Sequence, residues 1–329
     1  IELCKVVAQY GGIYATHIRN EGPEMLSALE EALKIGRESG CPVHISHHKA
    51  SGRPNFGKVA ESQRMIEKAR KNGIDVTCDV YPYTAGSTLI SALLPKWVHE
   101  GGVGCMLERL RDSEVRQRIA RELNSDIPGW ENLVRGSGWE NILICSCEDK
   151  PIYEGKTIAE IATESNLSPE EVLFDIISSS KGKSTIALFM IDEEDCKTVL
   201  SHPLSMVGSD GWACSFSGVL ANGKPHPRAF GTFPRVLGKY AREEKVMPLE
   251  TAVWKMTGFP AQRFGLEDRG IIKKGMIADI TIFDPETIID KASYENPFQQ
   301  PEGIEYVIIN GEVVVDHKRY SGKTLGKVI

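Results

Sequence analysis

The sequence predicts an α/β fold, a parallel β/α barrel with a helical insertion followed by a small β-domain. Three observations carry the prediction. Between residues 13 and 81, short apolar segments alternate with amphipathic helices at the pace of βαβ units. Three apolar segments run straight into polar side chains of the metal-ligand or acid–base kind: IYATH at His17, VHISH at His47 and SMVGSD at Asp210. From about residue 266 the pattern changes to the two-residue alternation of antiparallel strands.

Taken in order, ELCKVVAQYGG places Leu3, Val6, Val7 and Tyr10 at helical spacing, with Gly11–Gly12 as the stop. A strand over 13–16 follows. Pro23 suits the first turn of a helix that runs to Gly40 with Met25, Leu26, Leu29, Leu33 and Ile35 as its apolar stripe. A strand over 42–46 comes next, then a helix over 58–72 with Val59, Met65, Ile66 and Ala69 inward, then a strand over 74–81. Residues 96–200 are less regular and read as a helical insertion. In it, Ser168 with Glu171 three residues on predicts a capping box. A strand over 205–209 leads to GSDG, and helices over 233–244 and 248–257 close this part. In the last segment Asn310–Gly311 marks a two-residue hairpin turn.

Composition narrows the function. A net charge of −6, with both signs mixed along the chain, argues against nucleic acid or an acidic membrane surface as partner. No apolar run reaches the roughly 18–20 residues of a membrane span. Eight scattered cysteines, without framework spacing, suit a reducing cytoplasm. Cys145 and Cys147 lie close together, but no second cluster joins them to make a metal site.

The chemistry sits at the strand ends. In a parallel barrel, side chains at the C-terminal ends of the strands converge on one mouth. His17, His47 and Asp210 would meet there. Two neutral imidazoles hold a divalent metal, typically zinc, and a nearby carboxylate can ligate it or take a proton from the water it acidifies. Pleating should turn His48 away from this mouth, and His44 is no obvious partner. Arg19 reads either as ordering its loop with Glu21 or as touching substrate. His226 and Arg228 read as a helix cap or hinge, or as a pocket wall.

The sequence also resembles the N-acyl-D-amino-acid deacylases (D-aminoacylases) of the amidohydrolase superfamily. The matching stretches are GGIYATHIRNEG, VHISHHKASG, DVYPYTAGST, GSDGW, HPRAFGTFPRVLGKYARE and GIIKKGMIADITIFDP. The resemblance implies a zinc-dependent barrel in which His17 and His47 bind Zn2+ and Asp210 is the general acid/base. It implies that Lys49 meets the substrate carboxylate, with Tyr81 and Ser87 lining the same pocket. The substrate would be a small N-acyl-D-amino acid.

One departure qualifies this. The family carries a His-x-His pair on its first barrel strand and a bridging cysteine or modified lysine before the YATH strand, and neither is found in these residues. Cys4, inside a helix, is no substitute. The resemblance therefore covers the C-terminal portion of a TIM (β/α)8 barrel over residues 1–265, with its helical insertion at about 96–200. A small β-sandwich domain occupies 266–329. The open sheet edges of such a portion lead to the expectation of self-association, or of a missing N-terminal segment that covers them. Two other readings are a non-catalytic, truncated or split half-barrel needing a complementary chain, and a hydantoinase- or dihydroorotase-like cyclic amidase.

Overall fold

The computed structural model describes residues 1–328. Four short parallel strands form the central sheet: β1 (Tyr14–Thr16), β2 (Val43–Ile45), β3 (Val76–Val80) and β7 (Ser205–Val207), paired in that order. Val43, Ile45, Val76 and Cys78 are all fully buried. Burial on both faces is why these segments read as apolar runs rather than as an alternation. Each strand is a residue or two shorter at its ends than its apolar run.

Helix α1 spans Glu2–Gln9, α2 Met25–Ser39 and α3 Val59–Lys71. In α2 the inward stripe is Met25, Ala28, Leu29, Ala32, Leu33 and Gly36, so small residues replace the expected Leu26 and Ile35 where the helix presses on the sheet. Gly40 then ends it in the left-handed conformation that glycine adopts without strain. In α1 the expected apolar stripe faces solvent instead: Leu3 is 82% and Tyr10 86% exposed. The helix leans on α2, with none of its residues buried.

The segment read as a helical insertion over about 96–200 carries two strands as well, and they pair with a third that lies just ahead of it. β4 (Ala85–Leu89), β5 (Ile142–Ser146) and β6 (Thr185–Phe189) make a three-stranded antiparallel sheet in the order β4-β6-β5. ILIC and IALFMI are apolar runs of four and six, too short for periodicity to separate strand from helix. The surrounding helices give this unit its own core, with Leu110, Ile119, Phe174, Ile177 and Ile186 at its centre. Helix Glu193–Ser201 belongs to the barrel, sending Cys196, Val199 and Leu200 into the core around the parallel sheet.

Ser168 caps its helix, its Oγ accepting the Glu171 N–H at 3.2 Å, but the Glu171 carboxylate turns to Arg116 at 2.7 Å. The reciprocal half of that capping box is unmade; a complete one closes at Thr157 and Glu160. The helix expected from 233 starts at Arg228, because His226 Nδ1 accepts the Arg228 N–H at 3.0 Å and supplies a start signal upstream. It runs on past Pro234 as a π-helix over Val236–Glu243.

The C-terminal β-domain is one antiparallel sheet among the described residues: β8 (Ile280–Phe283), β9 (Ile304–Ile309), β10 (Glu312–Asp316) and β11 (Arg319–Tyr320). Where the sequence reads as a sandwich, a second sheet is not present in them. Asn310 and Gly311 both have positive φ, as a two-residue hairpin turn of the type that follows strand twist requires. Among the described residues no helix is long and apolar enough to cross a membrane.

The tightest helix–sheet approach is testable. A Cβ on Gly36 would overlap the Val43 Cγ2 methyl, in a fully buried and stiff β-branched side chain. Gly36→Ala should destabilise by about 1–2 kcal/mol in urea unfolding, overpacking outweighing the roughly 1 kcal/mol gain in helix propensity. A stabilised variant would show that α2 stands off the sheet.

Candidate metal centre and active site

The site begins where β1 and β2 stop. After Thr16 the chain turns through Asn20, whose side-chain oxygen accepts the N–H groups of Gly22 and Glu24, both at 3.0 Å. That turn drives the Glu21 carboxylate inward, where it is buried. After Ile45 the second turn brings up His47 and Lys49. His47 Nε2 lies 3.0 Å from His17 Nδ1, and the Glu21 carboxylate lies 3.0 Å from His47 Nδ1 and 3.6 Å from His17 Nδ1. Lys49 Nζ is 2.7 Å from the same carboxylate oxygen and 3.0 Å from the His47 carbonyl.

Lys49 Nζ and the Glu21 carboxylate both approach His47 Nδ1, at 2.8 and 3.0 Å. Lys49 already has two oxygen acceptors, whereas a carboxylate can only accept. Ligation through Nε2 requires the proton on Nδ1, where Glu21 accepts it; the Nε2 lone pair then faces His17. This is the carboxylate–histidine arrangement that orients a metal ligand. Burial pushes the Glu21 carboxyl up, but Lys49, His47 and His17 outweigh it and hold it at about 2. Burial pulls His17 below its ordinary range, against the pull of Glu21, which favours the neutral imidazole that a metal needs. Two imidazole nitrogens and one carboxylate oxygen within 4.8 Å of one another are a donor set that fits a divalent metal.

The second half of the site comes from the loop after β7. Asp210 sits there at φ +47, its carboxylate 2.9 Å from Arg228 Nη1. Arg228 is buried, and the contact is an ion pair without hydrogen-bond alignment, so Nη1 keeps a donor free. The Arg228 guanidinium lies 4.6 Å from the ring centre of Tyr81, at the end of β3, and Lys49 Nζ lies 5.7 Å from the same ring. Tyr81 thus joins the two halves. Ser87, on β4, lines a cavity of about 200 Å³ with Ser146, Thr185, Trp212 and Arg228.

Of the residues singled out in the sequence, His17, His47 and Lys49 meet directly, Asp210 stands with Arg228 beside Tyr81, and Ser87 lies on the cavity wall. His48 points away, its Nε2 2.8 Å from Ser62 on α3, and burial lowers it to about 4. His226 serves as the helix start, its Nε2 donating to the Ala85 carbonyl at 2.9 Å. Glu21 was missed as a member of the site. Its expected partner Arg19 bonds Glu31 instead, at 2.8 and 2.9 Å. The available signal was an acid four residues after a strand-end histidine.

A donor pair backed by a carboxylate, with an acid and two cations beside it, makes a candidate divalent-metal centre at the strand ends of a β/α fold. The chain belongs to the amidohydrolase family, whose sequence profile matches residues 23–315. It is 38% identical over 329 residues to the D-aminoacylase of Alcaligenes xylosoxydans xylosoxydans, covering 100% of this chain and 57% of that one. To the N-acyl-D-glutamate deacylase of the same organism it is 33% identical over 311 residues, covering 94% and 52%. It superposes on a D-aminoacylase crystal structure with a TM-score of 0.77 at 37% identity, covering 99% of this chain and 58% of the other. For an N-acyl-D-glutamate deacylase from Bordetella bronchiseptica, complexed with zinc and a phosphonate inhibitor, the values are 0.74, 31%, 95% and 55%. The chain spans a little over half the length of these relatives. The resemblance read from YATHIRNEG, HISHHK and HPRAFGTFPRVLGKY is borne out, as is the amidohydrolase-type α/β fold.

Behind Glu21 stands a second acid. Glu131 Oε2 accepts the Glu21 N–H at 3.0 Å, and burial, reinforced by the Glu21 charge, raises the Glu131 carboxyl from 4.5 to about 7. The folded protein thus keeps a proton that the unfolded chain has released, so this group's contribution falls as pH rises from 4.5 through 7. Glu131→Gln keeps the acceptor and removes the titration. It should be more stable than wild type by about 1–2 kcal/mol at pH 8 and no more stable at pH 4.5, in urea unfolding at the two pH values.

Proposed function

We propose that this chain carries the catalytic residues of a zinc-dependent hydrolase that cleaves the amide bond of N-acyl-D-amino acids, giving a D-amino acid and a carboxylate. The observation that carries the proposal is the meeting of His17 Nδ1 and His47 Nε2 at 3.0 Å with Glu21 behind them. Its setting supports it, since relatives matched along nearly the whole chain are deacylases of N-acyl-D-amino acids. The same breadth of match favours a deacylase over a cyclic amidase.

His17 and His47 would hold the ion, with Glu21 keeping the His47 ring in the tautomer and orientation that ligation needs. Bound there, zinc supplies a Lewis acid that polarises the amide carbonyl and acidifies water. Asp210 takes the proton of the attacking water on its carboxylate and delivers it to the leaving amide nitrogen. Arg228 fixes the position of that carboxylate through their ion pair. Lys49 and Arg228, both beside the Tyr81 ring, receive the substrate α-carboxylate, and the cavity at Ser87 receives part of the remaining substrate.

The test is acetate release from N-acetyl-D-methionine by the zinc-supplemented protein. The chain alone is expected to be inactive; joined to a segment that supplies the His-x-His pair, it should release acetate only with the metal and only from the D enantiomer. Equal rates on both enantiomers would overturn the proposal. Zinc binding through His17 and His47 with neither turnover nor retention of the substrate would favour the non-catalytic half-barrel. Two variants assign the roles. Asp210→Asn should leave bound zinc unchanged and lower kcat at least roughly a hundredfold. Lys49→Met should raise KM for N-acetyl-D-methionine well above its effect on the carboxamide, since only the acid loses an ionic partner. Equal losses on both would make Lys49 the counter-ion of Glu21 alone.

A further inference from the structure

We propose that Asp79 is a positioning residue for the metal centre. It holds the His47 backbone in the left-handed conformation that brings the imidazole to His17. The inference rests on the reading of His47 as a ligand.

The chain stays in strand register as far as Ser46, whose N–H donates to the Thr16 carbonyl on β1 at 2.9 Å. The next residue, His47, has φ +38. For a residue with a Cβ this region costs about 1–2 kcal/mol, so neighbouring structure has to hold it there. Asp79 supplies the hold twice. Its Oδ1 accepts the His47 N–H at 2.7 Å, and its backbone carbonyl accepts the His48 N–H, also at 2.7 Å.

The carboxylate is itself clamped. Thr77 and Asp79 point to the same face of β3, two residues apart, and His44 on β2 is the registry partner of Thr77. His44 is buried; its Nε2 lies 2.7 Å from Asp79 Oδ2 and its Nδ1 2.8 Å from Thr77 Oγ1. A carboxylate only accepts, so Nε2 carries the proton and Nδ1 accepts from the threonine hydroxyl. Space for the carboxylate depends on Gly208, where a Cβ would come within 3.0 Å of Asp79 Oδ1. His47 is therefore set from two sides: Asp79 governs its backbone and Glu21 its ring. Without the Oδ1 acceptor the turn relaxes toward negative φ and the imidazole swings away from His17.

The experiment measures zinc affinity of the full chain by competition with a chromophoric chelator. It also follows the His47 amide by NMR in the metal-free protein. Asp79→Ala should weaken zinc at least tenfold and remove the exchange protection of the His47 amide. Asp79→Asn should restore most of both, because its carbonyl oxygen replaces Oδ1 while its NH2 group faces a retautomerised His44. Val199→Ala, which weakens the same core away from the turn, should leave zinc affinity unchanged. If Asp79→Ala does not fold, Gly208→Ala serves: its methyl displaces the carboxylate, and zinc should weaken severalfold. Wild-type affinity in Asp79→Ala or Gly208→Ala, while His47→Ala loses zinc, would overturn this inference alone. An equal loss in Val199→Ala would also overturn it. Unchanged zinc binding in His47→Ala would overturn the ligand reading and this inference together.

Discussion

The site depends on a buried carboxylate. Glu21 is removed from solvent, and a buried charge is tolerated only with compensating charge and full hydrogen bonding. Lys49 and His47 provide both, and to do so the loop after β2 must close on the loop after β1. The same contacts orient the His47 ring and turn its free nitrogen toward His17. Two loops of ordinary composition are thereby locked into one arrangement, and the facing pair of imidazoles is a consequence of that locking.

The two groups closest to the chemistry share a backbone feature. His47 and Asp210 both have positive φ, each a few residues past the end of a parallel strand. A side chain continuing the strand would stay on one face of the sheet. The left-handed turn re-aims it toward the mouth, at a local cost that packing and hydrogen bonding offset. Around His47 the offset comes from Asp79. Around Asp210 the neighbours are the ion pair to Arg228 and a close approach of Gly211 to the first turn of the following helix, where a Cβ would come within 3.0 Å of Ala229 Cα.

The barrel side of the chain and the antiparallel sheet meet at the cavity. The parallel sheet and its helices supply Arg228 and the loop at Gly211, and the antiparallel sheet of the insertion supplies Ser87, Ser146 and Thr185. The insertion is therefore a wall of the cavity as well as a separately packed unit. Its inner face is neutral and hydroxyl-bearing, while the charges cluster on the barrel side around Tyr81.

Much was legible in the sequence because it is local. Helical periodicity, the Gly40 stop, the Asn310–Gly311 turn and the strand ends at His17 and His47 each depend on residues within a few positions of one another. The strands of the insertion were not legible, because so short an apolar run becomes a strand only when a partner lies beside it. Arg19 and Glu21 were two residues apart and looked like partners, but the turn at Asn20 sends one to Glu31 on the surface and the other to Lys49 inside. By itself the sequence determined the βαβ order and which imidazoles and which aspartate stand just past the strand ends. The tertiary structure decided which acid stands behind His47, which cation faces Asp210, and which carboxylate holds the His47 turn. Those pairings join residues distant in the chain, and a buried charge takes the compensating partner that folding brings to it.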